Sequence, residues 1–136
     1  MVQVELVKII IDEKRQDQII VLKEKNGERQ FPIVIGFLEA SSIKMRISGI
    51  EAPRPMTHDL LMNVIATLGA KIERLIIDKM VQNTFHAKLE LKLKEAQQTK
   101  LVDTRPSDGI AIAVRAQAPI FVEDEVLEKV AISKQE

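Results

Sequence analysis

Two short polar segments carry residue types that bind anions and transfer protons. The first reads Arg-Pro-Met-Thr-His-Asp from Arg54 to Asp59, and the second reads Asp-Thr-Arg-Pro-Ser-Asp from Asp103 to Asp108. Each places an Arg-Pro pair just ahead of an apolar run, which predicts a helix that begins at or soon after the proline. Backbone N–H groups at a helix start, next to an arginine side chain, favour the binding of an anion. The two segments are therefore the first candidates for a functional site.

The two segments could bind and cleave a phosphate ester if the fold brings their helix starts together. The arginines would clamp the phosphate, the aspartates would hold a divalent cation such as Mg²⁺ or orient a water molecule, and the histidine would transfer a proton. The arginines are Arg54 and Arg105, the aspartates are Asp59, Asp103 and Asp108, and the histidine is His58. Glu39, early in a preceding predicted helix, is a weaker candidate for a further metal ligand.

A structural interpretation of the same residues stays open. Thr57 and Ser107 could cap the two helices, the acidic residues of the first turns could complement the helix dipoles, and the arginines could pair with nearby carboxylates. A lone histidine is also often a hydrogen-bonded structural residue. The alternative function is then a non-catalytic regulatory protein that holds an anion or a partner's carboxylate with the same cluster.

The composition excludes several classes of protein. Twenty basic residues balance twenty acidic ones, so no global positive field attracts nucleic acid and any contact with it must be weak and local. The absence of cysteine excludes disulfides, thiolate metal sites and a cysteine nucleophile. No glycine-rich phosphate loop, His-Glu-x-x-His motif, Gly-x-Ser-x-Gly motif or aromatic stacking platform is present, which argues against triphosphatases, zinc proteases, serine hydrolases and base-stacking proteins.

The length and the N-terminal sequence predict a one-domain protein of the cytoplasm. A chain of 136 residues can bury a single core, so one domain is expected over residues 1–136. The segment from Met1 to Ile11 lacks the charged-then-apolar order of a signal peptide, and no apolar run approaches the roughly 20 residues of a membrane span. Aliphatic strands on both faces of a small chain also favour a homodimer.

The hydrophobic pattern predicts an α+β fold with antiparallel strands and helices packed on the sheet. Strand, strand, strand and helix occur twice in that order. An Asn26-Gly27 pair predicts a type I′ hairpin in the first set. The predicted strands cover Val2 to Asp12, Ile19 to Lys25, Phe31 to Ile35, Ile72 to Gln82, Thr84 to Lys94, Thr99 to Asp103 and Ile120 to Val122. The predicted helices begin at Phe37, Thr57, Pro106 and Glu123.

Two of these elements carry more specific expectations. The helix from Thr57 to Leu68 has an apolar stripe, and the strand from Ile72 to Gln82 is apolar on both faces, which predicts a central place in the sheet. Thr57 is expected to cap the first of the two polar-segment helices, and Thr104 or Ser107 the second. The apolar stripe of the helix from Thr57 to Leu68 consists of Leu60, Leu61, Val64, Ile65 and Leu68.

Three separated segments resemble the bifunctional nuclease family, most closely its small, single-domain bacterial members. They are Pro-Ile-Val-Ile-Gly-Phe-Leu-Glu-Ala from Pro32 to Ala40, Arg-Pro-Met-Thr-His-Asp-Leu-Leu from Arg54 to Leu61, and the run from Asp103 to Arg115. The resemblance implies a nuclease that degrades RNA and DNA. Gly109 stands where the family usually has alanine, a change expected to weaken the helix start by about 1 kcal/mol.

The positions that match the family pattern define the predicted site. The expected catalytic residues are His58, Asp59 and Asp108. The expected substrate-binding residues are Arg54, Arg105, Ser107 and Arg115. The expected metal ligands are Asp59, Asp103 and Asp108, with Glu39 as a weaker candidate.

Overall fold

The computed structural model describes residues 1–131 and contains seven strands in one sheet, with four helices. The strands are β1 (Val2–Ile10), β2 (Asp17–Glu24), β3 (Gln30–Gly36), β4 (Ala70–Val81), β5 (Thr84–Leu93), β6 (Gln98–Thr104) and β7 (Ile120–Val122). The helices are α1 (Phe37–Ile47), α2 (Thr57–Thr67), α3 (Pro106–Ala116) and α4 (Asp124–Val130). The α+β class predicted from the sequence is confirmed.

The sheet joins two antiparallel meanders through one short strand. Its strand order is β3-β2-β1-β7-β4-β5-β6, with β7 antiparallel to β1 and parallel to β4. The two meanders are each followed by a helix, α1 and α3, which confirms the repeated order of elements. The central position predicted for β4 is also confirmed.

The core is aliphatic and extends across both meanders. Leu75 and Ile77 of β4, Ile110 of α3 and Leu22 of β2 are completely buried in one hydrophobic cluster. Each such side chain contributes about 1.5–3 kcal/mol by leaving water. The packing fixes α1 and α2 against α3, which brings the two polar segments of the sequence together.

Helix α3 starts where the proline predicts but is not capped as predicted. Pro106 is its first residue and Arg105 the N-cap, with no side-chain hydrogen bond at the cap. Thr104 instead donates its hydroxyl to the Arg105 carbonyl at 2.9 Å, and Ser107 is buried within the first turn. The predicted hydroxyl cap is therefore wrong, because Thr104 precedes the cap position and Ser107 follows it.

Helix α2 is likewise correct in extent but differs at its start and on its apolar face. Met56, not Thr57, is the N-cap, and its N–H donates to the Asp59 carboxylate at 3.0 Å. The inward side is formed by His58, Met62 and Ile65. Met62 and Ile65 follow His58 by four and seven residues, which places all three on one face of the helix. Four residues of the predicted apolar stripe are exposed: Leu60, Leu61, Val64 and Leu68.

The hairpins also depart from the sequence interpretation. The β2–β3 connection spans residues 25–29, and neither Asn26 nor Gly27 has a positive φ, so the predicted type I′ turn is wrong. Lys23 donates to the Gly27 carbonyl at 2.6 Å and holds this longer loop. The two-residue hairpin lies instead between β4 and β5, where Gln82 and Asn83 have φ of 51° and 61°.

No helix within residues 1–131 is both long enough and apolar enough to cross a membrane.

Gly109 illustrates how the core constrains the helix start. A Cβ at this position would lie 2.4 Å from Leu75 Cδ1, a side chain with no exposed surface. Gly109→Ala should therefore lower the free energy of unfolding by about 1 kcal/mol, because overpacking costs more than the ~1 kcal/mol gained in helix propensity. Urea denaturation checks this. If Gly109→Ala lowers the free energy of unfolding less in a Leu75→Val background than in the wild type, the destabilisation comes from the contact with Leu75. A Gly109→Ala protein more stable than the wild type would contradict the prediction.

Candidate functional site

The centre of the site is His58, which links α1 to α3. Its Nδ1 lies 3.0 Å from Ser42 Oγ of α1, and its Nε2 lies 3.0 Å from Asp108 Oδ1 of α3. His58 is only 8% exposed and Ser42 only 3% exposed. The imidazole is therefore held on both sides by hydrogen bonds within a largely buried environment.

The network determines which nitrogen of His58 carries the proton when the ring is neutral. An ionised Asp108 can only accept, so Nε2–H donates to Asp108 Oδ1. Nδ1 is then an acceptor for the Ser42 hydroxyl. The Ser42 oxygen in turn accepts a hydrogen bond from Arg115 Nη2 at 2.8 Å. Every polar atom in this sequence of contacts has a partner of the correct kind.

Asp108 is the link between the buried histidine and the surface. Burial by itself would raise the pKa of Asp108, but hydrogen bonds from His58 and Arg105 outweigh that effect and the pKa is lowered. Arg105 Nε donates to Asp108 Oδ2 at 2.9 Å, and Arg105 Nη2 lies 3.6 Å from Glu39 Oε1. The hydrogen bond to Asp108 also raises the pKa of Arg105. The pair is therefore fully ionised at neutral pH.

Arg115 anchors the buried end of the network. Its Nε donates to Asp59 Oδ1 at 2.8 Å, and its Nη1 donates to the Ala111 carbonyl at 3.0 Å. The hydrogen bond from the Met56 N–H, followed by that from Arg115, lowers the pKa of Asp59. Arg115 is buried, so its end of the ion pair is held in a fixed geometry, while the Asp59 carboxylate remains partly exposed. The seven polar side chains of this network therefore connect α1, α2 and the α3 region.

The network is most exposed to solvent at Arg105 and less so at Asp59, whose side chain is 39% exposed. Arg105 has a side-chain exposure of 67%, whereas Ser42, His58 and Arg115 are buried. Two cavities of about 330 and 650 Å³ meet at Thr57, His58, Arg105 and Asp108. The smaller is bounded by α1, and the larger by β5 and β6. A ligand in either cavity would therefore contact the Arg105–Asp108 pair.

Most of the predicted site residues lie in this network, and three lie outside it. Six of them, together with Ser42, make up the network: Glu39, His58, Asp59, Arg105, Asp108 and Arg115. Arg54 lines a different cavity, of about 300 Å³, with Asp59 and Arg115. Asp103 also lies outside the network, since it pairs with Lys88 at 3.1 Å, although it lines the larger cavity. Ser107 is buried one residue before Asp108.

The aspartates do not form the metal cluster that the sequence suggested. Among the residues that the structure describes, no group of three or more histidine, aspartate or glutamate side chains is placed to hold a metal ion. Asp59 and Asp108 direct their oxygens to N–H donors, while Asp103 faces Lys88. Asp103 and the other two aspartates are thus directed to different partners and do not converge, so these side chains do not fit an Mg²⁺ site in this arrangement.

Ser42 is the member of the network that the sequence analysis did not assign. It lies on α1, 16 residues before His58, in a helix whose polar residues gave little functional signal. The sequence signal that could have identified Ser42 is its place next to Ile43 on the buried side of α1, because a buried hydroxyl requires a hydrogen-bond partner.

Comparison with known proteins identifies the family. The family model for the bifunctional nuclease domain matches residues 20–135. The chain belongs to the bifunctional nuclease domain family. The resemblance in the three segments predicted from the sequence is thereby confirmed, and the network of α1, α2 and α3 lies within the matched region.

Relatives of this bifunctional nuclease domain occur in bacteria and plants. An uncharacterized protein of Mycobacterium tuberculosis is 39% identical over 127 residues, which cover 92% of this chain and 73% of the relative. Bifunctional nuclease 2 of Oryza sativa subsp. japonica is 30% identical over 82% of this chain and 35% of its own length. Bifunctional nuclease 1 of Arabidopsis thaliana is 29% identical over 76% of this chain and 32% of its own length. The chain thus spans about a third of these plant proteins.

Proposed function

We propose that the chain hydrolyses phosphodiester bonds of RNA and DNA with little sequence specificity. The observation that carries the proposal is the open end of the network, where an exposed arginine adjoins an ionised aspartate and a histidine at the meeting point of two cavities. Membership of the bifunctional nuclease domain family supports the reaction class. A chain with balanced charge would bind its substrate through a few local contacts, so the affinity should be weak.

Arg105 is the phosphate-binding residue in this proposal. Its Nε is engaged by Asp108 and its Nη2 only loosely by Glu39, so the guanidinium retains N–H donors for phosphate oxygens. Contact between a guanidinium and a phosphate is strong because both groups are charged and several hydrogen bonds form in one plane. The exposed position of Arg105 lets a long polymer reach it without entry into the protein.

The His58–Asp108 pair then moves the protons of hydrolysis. Asp108 orients a water molecule, whose oxygen attacks phosphorus while the bond to the leaving ester oxygen breaks. The pair takes the proton that the water loses and returns a proton to the leaving oxygen, so it ends in its starting state. Ser42, Arg115 and Asp59 hold the imidazole in position, which makes Asp59 a positioning residue in this proposal. No step is assigned to a metal ion, because the histidine, aspartate and glutamate side chains within residues 1–131 do not converge in a group of three or more that could hold one.

Cleavage of labelled RNA and DNA by the stringently purified protein tests the proposal. Single- and double-stranded forms of each should be shortened, and the activity should coincide with the protein peak through successive columns. EDTA and magnesium arms measure the metal dependence directly. The nuclease proposal would be refuted if none of the four substrates were cleaved, either with EDTA or with magnesium.

The closure of the network favours a second candidate function, a non-catalytic regulatory protein that binds an anion or a partner's carboxylate. His58 has both nitrogens engaged, and both carboxylates next to it are paired. Such an arrangement can hold Arg105 rigidly for binding alone. Saturable binding of a short oligonucleotide without strand cleavage would support this function over hydrolysis.

Two further properties remain proposals on the same footing. We propose a homodimer, for which the exposed apolar side chains of α2 provide a surface. We also propose that the protein acts in the cytoplasm. Light scattering that shows only a monomer at micromolar concentration would contradict the first of these.

A further inference from the structure

A third cavity borders the one that holds the His58–Asp108–Arg105 group. It has a volume of about 300 Å³ and lies between the end of α1 and the loop of residues 50–56. Met56, the N-cap of α2, lines this cavity and also the 330 Å³ cavity at Arg105. The two cavities are therefore neighbours, separated at the N-terminus of α2.

The charge of this cavity is positive. Arg46 and Arg54 line it with exposed side chains, and neither forms an ion pair within residues 1–131. The Asp59 carboxylate in the wall is already paired with Arg115. Glu51 also lines the cavity, which leaves two arginines against one uncommitted carboxylate. An anion is the ligand that this balance favours.

The two arginines are also held where they can meet a ligand. Pro53 and Pro55 flank Arg54, and their fixed φ angles restrict the loop before any ligand binds. Arg46 donates from Nη2 to the Arg115 carbonyl at 3.4 Å, which directs its guanidinium towards the end of α3. Less conformational entropy is then lost on binding than with two free surface side chains.

We propose that this cavity binds the phosphate of the nucleotide next to the scissile bond. The inference rests on the proposed function, in which Arg105 binds the scissile phosphate. Because Met56 lines both cavities, the inferred path runs from a scissile phosphate at Arg105 past Met56 to a neighbouring phosphate at Arg46 and Arg54. The substrate class is therefore an oligonucleotide with at least two backbone phosphates. Arg54 is then a substrate-binding residue, as predicted, but for a different phosphate from the one at Arg105.

Binding of labelled dinucleotide and trinucleotide, which contain one and two phosphodiester groups, tests the inference. The wild-type protein should bind the trinucleotide about tenfold more tightly, a typical contribution of a charge-assisted hydrogen-bonded contact. Arg54→Ala and Arg46→Ala should each remove most of this ratio and leave dinucleotide affinity within about twofold of wild type. Lys129→Ala, which removes one exposed charge from α4 outside the three cavities, is the matched control and should retain the ratio.

The cleavage rates of the two substrates separate this inference from the proposed function. If the inference holds, Arg54→Ala lowers kcat/KM for the trinucleotide and leaves that for the dinucleotide nearly unchanged. Equal losses for both substrates, or no loss for either, would overturn the inference. If the wild type cleaves neither short substrate, the ratio of binding affinities still decides whether the second phosphate binds at Arg46 and Arg54, while cleavage of the longer RNA and DNA substrates decides the proposed function.

Discussion

Asp108→Asn should lower phosphodiester cleavage by about a hundredfold or more, the usual cost of removing a general acid–base pair, and leave the fold intact. The asparagine amide can still accept one hydrogen bond, but it cannot accept from His58 and Arg105 at once through two oxygens, as the carboxylate does. It also cannot take a proton from water. The variant therefore loses both the proton-transfer group and the partner that orients His58 and Arg105.

Steady-state cleavage of a labelled oligonucleotide measures this effect, and the variant must pass through the same purification as the wild type. Asp124→Asn, which changes an exposed aspartate in the first turn of α4, is the matched control and should keep wild-type activity. Far-UV circular dichroism should show an unchanged fold for both. Undiminished cleavage by Asp108→Asn would place the reaction elsewhere in the molecule or in a contaminating enzyme.

The larger part of the fold could be predicted because its signals are local. Alternation of apolar and polar residues defines β5, and Pro106 defines the start of α3, since each depends on residues close in the chain. The hairpin at Asn26-Gly27 shows the limit of such signals. Its five-residue loop depends on the register of β2 with β3, which the turn residues alone do not determine.

The site could be predicted only as a set of residues. The two polar segments did converge, but the partners of each side chain depend on helix packing. Asp103 and Asp108 lie in one segment, yet one pairs with Lys88 of β5 and the other with His58 of α2. The buried side of α2 could not be predicted for a similar reason. Most of the helix surface is apolar, so the pattern did not show which side faces α3.

The buried arginine should be more important for stability than any exposed charge in the site. Arg115→Met should lower the free energy of unfolding by about 3 kcal/mol, because it breaks the ion pair with Asp59 and the hydrogen bonds that the buried guanidinium donates to Ser42 and Ala111. The side chain makes hydrogen bonds to Asp59, Ser42 and the Ala111 carbonyl, and methionine can replace its volume but none of these contacts. Asp59 is partly exposed and can be hydrated in the variant, which keeps the expected loss at the lower end of the range for buried pairs.

Urea denaturation followed by circular dichroism measures the loss, since the chain contains no tryptophan or tyrosine for fluorescence. Arg46→Met is the matched control, because it removes an exposed arginine that donates a 3.4 Å hydrogen bond to the Arg115 carbonyl and forms no ion pair within residues 1–131. It should change stability by less than about 0.5 kcal/mol. Arg115→Lys should fall between the two, since one ammonium keeps the charge but cannot reach all three acceptors. Equal stability of Arg115→Met and Arg46→Met would contradict this prediction and show that the contacts of Arg115 do not stabilise the packing of α1, α2 and α3.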